Sequence, residues 1–178
     1  MSDEKKEKWL NYLALTTVIL AVCATLSTFK GGNFSTRSIL SQTQASDQWS
    51  YYQSKSIKSY IYDIQKEKLE LELRNTGSQG RKQMQDEYRE KIAAYAQKVK
   101  KYDEEKKEIE AKAKELEKRR DEAQKHSQAF GMAVIFLQIA ILLSSVAALL
   151  KKKLLWLIGV AAGAWGIVYF ANGFLMFM

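Results

Sequence analysis

The chain has 178 residues and a formal net charge of +8, with a pI near 9.4, a surplus that would suit nucleic acid if it gathered on one face. It does not gather. Lys5, Lys6 and Lys8 offset Asp3, Glu4 and Glu7, Lys151 to Lys153 stand alone, and the signs interleave between Lys30 and His126, which leaves no one-sign stripe for a phosphate backbone. The single cysteine, Cys23, can close no intrachain disulfide and has no companion ligands for a metal.

Residues 1–8 form a short tail, and Trp9 to Phe29 then runs without a charged side chain. Ser127 to Leu150 and Leu154 to Met178 do the same. A helix of about 20 apolar residues crosses the roughly 30 Å hydrocarbon core of a bilayer, so the sequence predicts transmembrane helices over 9–29, 130–150 and 154–178. Cys23 sits inside the first of these as a small hydrophobe. Val22 before it fits a lipoprotein box poorly, so an uncleaved span is expected.

There is no proline in the chain, so nothing forbids long helices. Gly31-Gly32-Asn33 is read as a break after the first span, with Ser35 or Thr36 as the N-cap of the next helix. A first helical arm is expected over Ser35 to Arg74, with a seam of Ile57, Ile61, Ile64 and Leu71, Lys68 among them, facing a second arm. Its densest piece runs from Ala45 to Lys58. Trp49, Tyr52 and Ser56 share one face there, Tyr51, Lys55 and Lys58 another, and Asp47 lies a turn before Tyr51. Asp47, Trp49, Tyr51, Tyr52, Lys55 and Lys58 are therefore the candidate interaction residues. The plainer alternative is that Trp49 and Tyr52 anchor packing on the second arm or on a neighbouring subunit. With no His, Cys or second carboxylate nearby, the patch holds no acid/base pair or triad, and the chain is read as no enzyme.

Asn75 to Gly80 has the composition of a turn, so residues 30–129 read as an extramembrane helical hairpin. In its second arm, Arg81 to Gln128, Tyr88, Ile92, Tyr95, Val99, Tyr102, Ile109, Ala113, Leu116, Ala123 and Phe130 recur at spacings of three and four. That is a coiled-coil seam, in which Lys106, Arg120 and Ser127 also occupy core slots. At about 1.5 Å per residue such an arm reaches some 70 Å. His126 is read as a polar residue at headgroup level.

In the second span Gln138 is the lone amide and is expected to hydrogen-bond another helix. Lys151 to Lys153 form the whole connection to the third span, where Gly159 and Gly163 stand in GxxxG spacing with Gly166 beside them, a helix-packing face. Basic residues in short loops stay in the cytoplasm, so the tail and the 151–153 loop are assigned there and the hairpin to the far side. Trp9, Tyr12 and Trp156 suit the membrane interfaces.

The run Ala45-Ser46-Asp47-Gln48-Trp49-Ser50-Tyr51-Tyr52-Gln53-Ser54-Lys55-Ser56-Ile57-Lys58, the charged Tyr102 to Glu117 rod and Leu137-Gln138-Ile139 together resemble a bacterial membrane family catalogued as domain-of-unknown-function family 4337. The resemblance covers nearly the whole chain. It implies that the Asp47 to Lys58 patch characterises the group and names neither substrate nor cofactor. The expected protein is an all-α membrane protein of the bacterial inner membrane, acting as a homo-oligomeric scaffold or interaction module without cofactors. Its partners are itself, membrane lipids and another envelope protein. The other function class that fits is a channel or transporter accessory subunit forming a ring around a central passage.

Overall fold

The structure, a computed structural model, describes residues 2–76 and 82–177. Among these the regular elements are helices and no strand occurs: α1 is Ser2–Thr76, α2 is Lys82–Leu150 and α3 is Lys153–Leu175. Each contains a stretch long and apolar enough to cross a membrane. Of the expected turn, Gly77 to Gly80 lie outside the described residues, as does Arg81.

The break expected at Gly31-Gly32-Asn33 is absent, because α1 continues through it. Gly31 is buried, and a Cβ there would meet the Phe130 Cβ at 3.1 Å, while Ser127 Oγ donates to the Gly31 carbonyl at 3.1 Å. The residue serves close approach between helices. Glycine costs roughly 1 kcal/mol in a helix interior, and here packing outweighs that. Thr36 is no N-cap either; it donates to the Gly32 carbonyl one turn back at 3.1 Å.

Contacts divide the chain into two compact units, residues 1–40 with 119–178, and residues 41–118. In the first, α1, α2 and α3 pack around small residues. Ala133, Ala140 and Ala147 of α2 are fully buried, and so are Phe130 and Leu137. Leu20 and Ala24 of α1 join one cluster with Ala133, Leu137 and Ala140; Trp9 and Leu13 join Ala147 in another. Glycine lets α3 come close: a Cβ on Gly166 would stand 2.9 Å from Leu137 Cγ, and one on Gly173 would stand 2.7 Å from the Phe130 ring.

Two ends of this unit are closed by aromatic and polar contacts. At one, Trp156 Nε1 donates to Thr16 Oγ1 at 3.2 Å and Trp9 lies 6.3 Å from Trp156 between centroids. At the other, His126 stacks on Phe34 at 4.5 Å, and its Nδ1 lies 2.7 Å from the Gly173 carbonyl. A carbonyl only accepts, so Nδ1 carries the proton. The bond satisfies one of the carbonyls that the end of α3 leaves unpaired.

In the 41–118 unit the burial pattern corrects the expected seam of the first arm. Ser41, Ala45, Gln48, Tyr52, Lys55, Ser59, Tyr62, Lys66, Leu69 and Leu73 are the buried or half-buried side chains at alternating spacings of four and three. Ile57, Ile61, Ile64 and Leu71 point the other way, 59%, 50%, 65% and 57% exposed. Small, polar and aromatic residues, rather than the isoleucines, meet α2 along most of this face, with aliphatic side chains joining only at Leu69 and Leu73. On α2 the inward set is Tyr88, Ile92, Tyr95, Val99, Tyr102, Lys106, Ile109, Ala113 and Leu116.

Candidate interaction site

Because side chains seven residues apart return to nearly the same face of a helix, the seam through Ala45, Tyr52 and Ser59 carries half of the Asp47 to Lys58 patch inward with it. Trp49 Nε1 donates to Glu117 Oε1 at 2.9 Å, and the Trp49 ring meets Tyr52 edge-on at 5.6 Å. Lys55 Nζ lies 2.6 Å from Glu105 Oε2. Oε2 is buried, so this charge-assisted contact is closed off from water at that oxygen. Ser59 Oγ donates to Asp103 Oδ1 at 3.1 Å, and Lys106 Nζ lies 2.7 Å from the same oxygen. Tyr62 closes the row, stacked on Tyr102 at 5.9 Å and tilted on Tyr95 at 5.6 Å. Rising numbers in α1 thus meet falling numbers in α2.

Electrostatics follow from these pairs. The Glu105 carboxylate, then the Tyr51 hydroxyl, hold Lys55 above the ordinary lysine value, and Lys55 holds Glu105 below the ordinary carboxylate value. Asp103 is lowered by its bond to Lys106, less strongly by Ser59, and Lys106 is raised in return. That explains how a lysine sits in a core slot: its charge is neutralised there. The Lys55 ammonium also lies 5.1 Å and 5.4 Å from the rings of Tyr51 and Tyr102, within cation–π range.

The patch therefore divides. Trp49, Tyr52 and Lys55 face α2, whereas Asp47, Tyr51 and Lys58 are exposed. Lys55 parts from the face on which it was expected beside Tyr51 and Lys58. Its inward groups are bound to one another, so the arrangement fixes register between two helices and offers no vacant polar pocket. Among the described residues no three of His, Cys, Asp and Glu converge as a metal ion needs. Sequence reasoning missed Ser59, Asp103, Glu105 and Glu117 as partners of the motif. The signal that finds them is the seven-residue spacing of Ala45, Tyr52, Ser59 and Lys66.

The remaining candidates lie in the other unit. Gly159, Gly163 and Gly166 are buried on one side of α3, Gly159 against Ala140 and Leu143, Gly163 against Leu20 and Ala140. Gln138 is on the exposed face of α2, so its amide does not turn toward α1 or α3, as it was expected to if its partner lay in the same chain.

The family described as Domain of unknown function (DUF4337) matches residues 9–176. The chain belongs to that family. The matched stretch takes in the 45–58 motif, its partners on α2 and all three apolar runs. No curated protein and no solved structure matches the chain.

Proposed function

We propose that the chain is a non-enzymatic, homo-oligomeric scaffold of the bacterial inner membrane. In this reading three spans, with the N-terminus and the Lys151 to Lys153 loop cytoplasmic, carry residues 41–118 as an antiparallel coiled-coil hairpin outside the cytoplasm. The observation that carries it is the unpartnered stripe on α1. Ile57, Ile61, Ile64 and Leu71 stand at spacings of four, three and seven on a helix whose opposite face is already filled. Full burial of one such side chain is worth about 1.5–3 kcal/mol, and apolar residues exposed together mark an interaction surface.

A second copy offers the same stripe at the same spacing, which suits knobs-into-holes packing. Lys68 falls within the stripe between Glu67 and Glu72, with Glu72 Oε1 at 3.9 Å, so a lysine facing its own copy has carboxylates at hand. Tyr51 and Lys58 flank the stripe as its polar rim. The test is the mass of the detergent-solubilised chain with Ile61→Glu and Ile64→Glu together. Loss of assembly with helicity retained supports the proposal; an unchanged mass defeats it.

Exposed Gln138 favours a second reading, a channel or transporter accessory subunit. An amide facing hydrocarbon is costly, and in a ring it would line a wet axis or bond a neighbour. A count of two subunits leaves no room for a passage and removes this alternative.

A further inference from the structure

Between α2 and α3, within the unit of residues 1–40 and 119–178, lies a cleft of about 830 Å³, inside the roughly 300–1,000 Å³ typical of ligand sites. Its lining changes character along α2. Glu122, Lys125, His126 and Gln128 give it a polar end, and Met132 with Tyr169 of α3 gives it an apolar one. Lys125 is the last side chain of α2 with a full charge. Seven residues of helix, about 10 Å at 1.5 Å per residue, separate it from Met132, which is comparable to the depth of the interfacial layer of a bilayer.

Both ends are held in place. Tyr169 stacks on Phe136 with centroids 5.7 Å apart and planes at 8°, so the apolar wall is a braced ring. His126 is tied to the Gly173 carbonyl through Nδ1, which turns its other nitrogen away from that bond. A cleft with a cation and an amide at one end and an aromatic wall at the other, placed where charge stops, matches the molecule that surrounds a membrane protein at that depth.

We propose that this cleft binds one glycerophospholipid, its phosphate at Lys125 and Gln128 and an acyl chain along Met132 and Tyr169. The inference rests on reading the apolar runs as membrane spans. Free phosphate shares the anion chemistry but leaves the Met132 and Tyr169 end unfilled.

The full chain, purified in mild detergent from vesicles of ethanolamine and glycerol phospholipids, is examined by native mass spectrometry after washing. One phospholipid should remain on each chain. Lys125→Glu should lower retention roughly five- to tenfold, since a cation beside phosphate is worth about 1 kcal/mol and its reversal more. Met132→Trp, which fills the apolar end, should abolish retention, whereas Leu142→Trp, at an exposed position of α2 ten residues on and about 15 Å away, should leave it unchanged. No retained lipid, retention indifferent to both cleft substitutions, or displacement by inorganic phosphate would each overturn the proposal. Should Met132→Trp lose helicity, Lys125→Glu decides. Recovery of the unaltered chain in the membrane fraction separately checks the spans, so lipid-free protein that still needs detergent counts against the cleft alone.

Discussion

The two helices of the 41–118 unit solve one packing problem with different mixtures of side chains. On α2 the inward seam is aromatic and aliphatic apart from the paired Lys106, and its outward side is charged. On α1 the inward seam is small or paired and polar at Ala45, Lys55 and Ser59, aromatic at Tyr52 and Tyr62 and aliphatic only at Leu69 and Leu73, while Ile57, Ile61 and Ile64 face out. A hydrophobic repeat thus shows that some helix covers a face, but does not say which one. Where a seam is small and hydrogen-bonded it can serve inside the chain, leaving the greasier stripe for another molecule.

The contrast is sharpest if both seams of α1 are cut. Tyr62→Ala removes two aromatic contacts, each worth about 0.5–1.5 kcal/mol, and should destabilise the chain by about 1–3 kcal/mol in chemical unfolding. Ile61→Ala, its neighbour, should change folding by less than about 0.5 kcal/mol while weakening assembly measured by sedimentation. Equal effects on folding would erase the distinction between the faces. A parallel pair of glycines tests the other unit. Gly173→Ala forces a Cβ to within 2.8 Å of the Phe130 ring and should cost about 1–3 kcal/mol, whereas Gly32→Ala meets nothing within 4 Å and should raise thermal stability by about 0.5–1 kcal/mol.

Smaller still, Trp49→Phe keeps the ring against Tyr52 but deletes the donor to Glu117. A loss of about 1 kcal/mol is expected, read as a lower denaturant midpoint with unchanged slope. Finally, pH should act at both extremes. Glu105 is lowered, so its share of stability is present above the ordinary carboxylate value of 4.5 and fades as pH falls through the lowered one. Lys55 is raised, so its share is present below 10.5 and fades as pH rises through the raised value. The melting temperature should be level between those limits and drop outside them. Glu105→Gln should blunt both drops without removing them, since Asp103 and Lys106 keep theirs.

Much of the architecture could be read beforehand, because charge-free runs and a three-four apolar repeat report directly on burial. The all-helical character and three membrane-length stretches follow from Trp9 to Phe29, Ser127 to Leu150 and Leu154 onward. The inner face of α1 could not be read in the same way, since Ser41 and Gln48 look like solvent-facing residues, as do Lys55 and Ser59 until their partners on α2 are known. Gly31 misled for a related reason. Composition records that a glycine breaks helices on average, but not that Phe130 waits 3.1 Å from its missing Cβ.

The polar joint between the helices has a kinetic side. Sliding α1 by one heptad along α2 would carry Lys55 away from Glu105 to face Lys98 or Lys112, setting cation on cation in either direction. A greasy zipper tolerates such slippage, but this one is keyed, so a slipped chain should meet like charge in place of the Lys55–Glu105 pair and return to register more readily.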